Sequence, residues 1–107
     1  MVKSLFEIKK ILREYKKELS RHNVRVTKMV LYGSYAHGHP KAHSDIDVIV
    51  VSADLGRFSA LQRQELLAKW TMNLDAPLEV LGYTPAELRR SADTIFGQII
   101  RETGKKI

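Results

Sequence analysis

GSYAHGHPKAHSDIDVIVV, residues 33–51, divides into a polar bend and an apolar run, and the junction between them fixes the fold. The run closes on Val48, Ile49, Val50 and Val51. Four consecutive β-branched residues suit a strand covered on both faces. Ahead of them Asp45, Ile46 and Asp47 alternate polar and apolar. Because side chains on a strand alternate faces, the two aspartates share one side and Ile46 takes the other. Residues 34–44 are rich in Gly, His, Pro and Ser and read as a short helical turn followed by a loop. Gly33 ends an earlier β-branched and apolar segment, residues 24–32, which reads as the first strand.

Outward from this junction the pattern alternates between the two periods. Ser4 and Glu7 form a capping box, and Leu5, Ile8, Ile11 or Leu12, Tyr15 and Leu19 follow at helical spacing. A polar break at Arg21, His22 and Asn23 ends that helix. On the other side, Phe58, Leu61, Leu66, Trp70 and Leu74 mark a second long helix beginning near Ser59, with no Pro or Gly until Pro77. Residues 78–83 read as a third strand. Thr84, Pro85 and Glu87 combine an N-cap, a proline at the first helical position and a capping box. A last helix through Ile95, Ile99 and Ile100 stops at Gly104, a C′ glycine. The expected fold class is α/β (α+β): a small mixed sheet of at least three strands covered by helices, with residues 1–107 forming one domain.

Composition narrows the function classes. Hydrophobic residues are 44% and charged residues 28%, inside the globular range. There is no cysteine, which excludes disulfides and thiolate metal sites. Lysines interrupt every apolar run of the first twenty residues, so they contain neither a signal-peptide core nor a membrane span, and a cytoplasmic location with no membrane partner is expected. The net charge of +6 is compatible with an anionic partner. Much of it, though, comes from Lys9, Lys10, Arg13, Lys16, Lys17 and Arg21, spaced as on the solvated face of a surface helix. No aromatic stacking residues are interleaved with them, Tyr15 falling on the apolar side of the helical pattern, so nucleic acid is not the expected partner.

The chemistry gathers where the strands end. Gly33 and Ser34 follow the first strand, Asp45 and Asp47 lie on the second, and Glu79 on the third. Two carboxylates aimed at one spot raise each other's pKa, and a bound divalent cation removes that cost. Hard oxygen donors favour Mg²⁺ or Mn²⁺ over zinc. A rigid strand gives the reach that two-metal phosphoryl transfer needs. Gly33 lets the backbone approach a phosphate, and Ser34 offers an N–H and a hydroxyl at the start of a helical turn.

These residues resemble the signature of the nucleotidyltransferase superfamily that includes DNA polymerase β: Gly-Ser, ten residues, Asp-x-Asp, with Tyr35 to Ser44 supplying the ten. PLEVLGYTPAEL, residues 77–88, resembles the strand and Thr-Pro turn that carry the family's third carboxylate. Relatives of this size usually have Asp there; here it is Glu79, one methylene longer. The resemblance implies a palm-like sheet. It also implies transfer of a nucleoside monophosphate, AMP from ATP, to a hydroxyl, with Asp45, Asp47 and Glu79 as metal ligands and catalytic acids and with Gly33 and Ser34 holding the nucleotide. In short length and N-terminal helix the chain is similar to the minimal nucleotidyltransferases commonly paired with helical HEPN proteins. That likeness implies an antitoxin that adenylylates a tyrosine of a HEPN toxin. The competing expectation is a non-catalytic subunit that neutralises its partner by binding.

Other residues take simpler readings. Asp75, before Ala76 and Pro77, reads as a turn residue rather than the third acid. His37, His39 and His43 lack metal-ligand spacing and read as loop polarity. Phe58, Trp70 and Phe96 read as core.

Overall fold

In the computed structural model, residues 3–37, 40 and 45–107 are described, His37 by its backbone alone. The loop reading of residues 38, 39 and 41–44, with His39 and His43, lies outside the described residues. The first helix, α1 (Leu5–Arg21), opens as its sequence requires: Ser4 Oγ accepts from the Glu7 amide at 3.1 Å and the Ser4 amide donates to Glu7 Oε1 at 3.1 Å. It buries Ile8, Ile11, Leu12, Tyr15 and Leu19. Asn23 ends it in the left-handed region, φ 61°, while the Asn23 amide donates to Ser20 O (3.1 Å) and the Val24 amide to Leu19 O (3.0 Å). This is a Schellman closure with Asn in place of Gly. It consumes the residues just after the helix, so β1 (Lys28–Tyr32) begins four residues later than composition indicates.

After Gly33 the chain makes one helical turn, α2 (Ser34–His37), and returns as β2 (Ile46–Val51) antiparallel to β1. A 3-10 turn (Ala53–Arg57) leads to α3 (Ala60–Lys69), which crosses over to β3 (Leu78–Tyr83), parallel to β2. Then come α4 (Pro85–Arg90), a 3-10 turn (Ser91–Asp93), α5 (Ile95–Thr103) and the two-residue β4 (Lys105–Lys106), antiparallel to β1. The sheet order β3-β2-β1-β4 is mixed, as the fold class requires, with a fourth strand that a Lys-Lys pair did not announce.

Three details depart from the periodic reading. The helix expected to reach Leu74 stops at Lys69, and the following residues fold into turns in which Thr71 Oγ1 donates to Ala68 O at 2.7 Å. Leu61, one of the residues whose spacing marked this helix, is 70% exposed. The inward positions of α3 belong to Leu67 and to Arg63, whose guanidinium reaches Leu55 O (3.0 Å), Gly82 O (3.2 Å) and Glu87 Oε1 (2.6 Å). Gly104 ends α5 with extended backbone, φ −68°, so its φ does not require glycine; a Cβ there would crowd Ile100 O and Val30.

The sheet separates two cores. Leu31, Ile46, Val48, Val50 and Val80 pack under α1 and Leu67 of α3. On the opposite face Val30, Ile49 and Val51 pack with Leu81, Leu88, Phe96 and Ile100 from β3, α4 and α5. Phe58 and Trp70 pack at the edge of the first core and Phe96 in the second, as expected of core aromatics. Among the described residues no helix is long and apolar enough to cross a membrane.

Candidate active site

Strand register assembles the site. The Ile46 amide donates to Pro77 O at 2.9 Å, tying the start of β2 to the residue before β3. That bond sets Asp47 beside Glu79 in the parallel ladder, while the antiparallel ladder sets Asp47 beside Tyr32. Neighbouring residues in register project to the same face. Asp47, Glu79 and Tyr32 therefore stand together at one end of the second face.

The acids are not equivalent. Asp47 is half-buried and its carboxyl is pushed up to about 6, first by burial, then by the Glu79 charge and by hydrogen bonding with Glu79, and last by Asp45. Asp45 stands one residue before β2, exposed. Spacing pointed to the two aspartates as the principal pair; the coupling felt at Asp47 is greater from Glu79. None of the four ion pairs among the described residues involves Asp45, Asp47 or Glu79. Two neighbouring carboxyls without a cation are a costly arrangement, and a hard divalent ion would relieve it. The donor set fits Mg²⁺ or Mn²⁺ in chemistry. Among the described residues, however, no three Asp, Glu or His side chains are already gathered around one point.

Gly33 has φ +72°, the left-handed region, and a Cβ placed on it would run into Asp47 Oδ2. Glycine thus meets two demands here: it turns the chain out of β1 and leaves room for the carboxylate. Ser34 opens α2 directly after this bend, and the Ala36 amide donates to Gly33 O at 3.1 Å. Ala36 is buried, and Tyr35 packs against the first core, so the turn is anchored. Asp75 is exposed in the turns between α3 and β3, in keeping with its reading as a turn residue.

A family model described as a nucleotidyltransferase domain matches residues 8–102. The chain belongs to the nucleotidyltransferase domain family. This nucleotidyltransferase domain is 31% identical over 84% of its length to the protein adenylyltransferase MntA of Shewanella oneidensis, of which the match covers 60%. It is 51% identical over 46% of its length to a Methanocaldococcus jannaschii protein named as a candidate protein adenylyltransferase, of which the match covers 56%. The matched part spans roughly half the length of these curated relatives. Among solved structures, a toxin–antitoxin complex with AMP-PNP aligns with a TM-score of 0.54 and 27% identity over 87% of this chain and 69% of that one. A candidate nucleotidyltransferase of Sulfolobus solfataricus shares the fold, with a TM-score of 0.59 and 18% identity over 76% and 70% of the two chains.

Sequence reasoning missed Tyr32. Its hydroxyl is pushed up to about 12, by burial first and then by the charges of Asp47 and Glu79, and its ring meets Phe96 edge-on at 5.7 Å. The signal was present: Tyr32 directly precedes Gly33, and an antiparallel return through that bend places it opposite Asp47.

Proposed function

We propose that this chain, working as one domain over residues 1–107, transfers AMP from ATP to a hydroxyl acceptor. The acceptor is a tyrosine of a helical HEPN-type toxin partner, and the modification makes the chain an antitoxin. The observation that carries the reading is the pair Asp47 and Glu79, held in register against the Gly33 bend, with the Asp47 carboxyl raised to about 6. The names of the relatives support the donor and the class of acceptor: protein adenylyltransferase for one, a toxin–antitoxin complex with an ATP analogue for another.

Asp45, Asp47 and Glu79 would hold Mg²⁺ or Mn²⁺, which when bound supplies positive charge against the triphosphate and the departing pyrophosphate. The chain's own part is positioning and electrostatics. Gly33, by turning the chain and leaving room for the Asp47 carboxylate, sets the Ser34 amide and hydroxyl to donate to phosphate oxygens of the bound nucleotide. Glu79, exposed at the mouth of the pair, accepts the proton of the incoming hydroxyl. The acceptor oxygen bonds to the α-phosphorus as the bond to the β-phosphate bridge breaks, and pyrophosphate leaves.

Incubation with the product of the adjacent gene and ATP labelled at the α-phosphate tests this directly. The partner's tyrosine takes up label with the native chain and not with Asp45→Asn/Asp47→Asn; continued labelling by the double variant rejects the mechanism. A second reading, a non-catalytic subunit that neutralises its partner by binding, draws support from the incomplete gathering of acids among the described residues. It is favoured if the double variant still forms the complex and still suppresses the partner.

A further inference from the structure

Lys9, Arg13 and Lys16 recur along α1 at intervals of four and three, so they form one stripe on the helix. That stripe walls a cleft of about 290 Å³ whose floor is Leu12, Val26, Met29 and Ile107 and whose far wall carries Lys28 and Lys106. Lys28 and Lys106 also border a second cleft, of about 320 Å³, that continues over Val30, Leu88, Phe96 and Ile100 to Arg101. The two clefts flank the β1–β4 edge and share its lysines. Six cations therefore rim a strip that wraps this edge from one face of the sheet to the other, and among the described residues no Asp or Glu side chain lines either cleft.

The acids of α1 lie elsewhere. Glu14 and Glu18 border a separate cleft with Trp70, where Glu18 is bonded to Arg21 at 2.6 Å and to His22 at 3.1 Å. None of the six rim cations takes part in an ion pair among the described residues. Lys17 and Arg21 stand with Glu14 and Glu18 around that cleft, so both signs are interspersed there, whereas the side of α1 that carries Lys9, Arg13 and Lys16 presents only cations to its cleft among the described residues.

We propose that this strip docks an acidic amphipathic segment of a partner protein, with carboxylates on the rim and apolar side chains in the two clefts. Three observations select that occupant. A net charge of +6 opposes a second copy of this chain. The aliphatic floors give a polynucleotide little to stack on, and Phe96, the one aromatic lining either cleft, is already engaged edge-on with Tyr32. Charge around an apolar centre is the usual anatomy of a protein-binding groove. Lys28 begins β1 and Tyr32 ends it, so that end of the strip lies roughly 13 Å of strand away from Asp47. At its other end Phe96 meets Tyr32 beside Asp47, so the strip runs up to the acid pair, and the inference holds whether or not that pair is catalytic.

The test titrates the ¹⁵N-labelled full chain with a synthetic peptide of about 20 residues carrying Leu and Glu at helical spacing. A scrambled peptide of the same composition and a single-stranded RNA serve as competitors. The proposal expects amide shifts confined to Leu12, residues 26–29, Phe96, Ile100 and Ile107. Lys9→Glu/Arg13→Glu/Lys16→Glu should weaken binding at least about tenfold, while the charge-matched Lys10→Glu/Lys17→Glu/Arg89→Glu stays within about threefold. Lys106→Glu alone, which leaves α1 untouched, should weaken it about threefold. The proposal is overturned by shifts centred elsewhere, by equal loss in the two triple variants, by RNA or the scrambled peptide binding as tightly, or by no binding at about 1 mM peptide.

Discussion

The two faces of the sheet are built from alternate residues of the same strands, yet they meet different fates. On the first face Leu31, Val48, Val50 and Val80 vanish beneath α1 and α3. The buried hydroxyl there, on Tyr15, is satisfied by donating to Leu67 O at 2.8 Å. On the second face the apolar cover of α4 and α5 extends over Val30, Ile49 and Val51 and then gives way to Tyr32, Asp47 and Glu79. Val48 and Asp47 are consecutive, and the strand's pleat alone sends one to the core and the other to the site. One face stabilises the sheet; the other carries a cost at its acidic end that a ligand can repay.

Truncation sharpens this contrast most strongly. Leu12→Ala, at a fully buried position under the first face, should cost about 2–5 kcal/mol in denaturant unfolding. Ile100→Ala, only half-buried over the second face, should cost about half as much or less. Equal losses would break the comparison. Gly33→Ala comes next: it forces a Cβ into the left-handed region and into the Asp47 carboxylate, so a loss of roughly 1–3 kcal/mol is expected by the same measurement.

The pH dependence of stability is a smaller effect with a definite sign. The Asp47 carboxyl sits at about 6 in the folded chain against an ordinary 3.8, so the folded state holds this proton more tightly than the unfolded one. Its contribution is fully present below the ordinary value and is lost as pH rises through about 6. Solvent screening of this half-exposed group limits the change to on the order of 1 kcal/mol. Metal-free unfolding from pH 4 to 7 should therefore show a decline that Asp47→Asn flattens.

Much of this was legible because it is local. The capping boxes at Ser4 and Thr84, the apolar run after Asp47 and the Gly33 bend each follow from adjacent residues, and the third strand has the bounds that its pattern indicates. What escaped depends on partners distant in sequence. Arg63 takes an inward position on α3 because Leu55, Gly82 and Glu87 surround its guanidinium, which no helical period reveals. The pairing of Asp47 with Glu79 depends on a parallel register fixed across the α3 crossover by the bond from Ile46 to Pro77. The spacing of Asp45 and Asp47 gave the acids but not which two of them couple most.

The most direct test of the acidic end is thermal unfolding at pH 7 of the native chain and of Asp47→Asn, each without metal and with magnesium plus a non-hydrolysable ATP analogue. The account predicts a crossing: without metal Asp47→Asn melts several degrees higher, about what 1 kcal/mol gives a domain of this size, and with magnesium and nucleotide the native chain melts higher. A variant that melts lower in metal-free buffer and gains as much as the native chain from magnesium and nucleotide would contradict it.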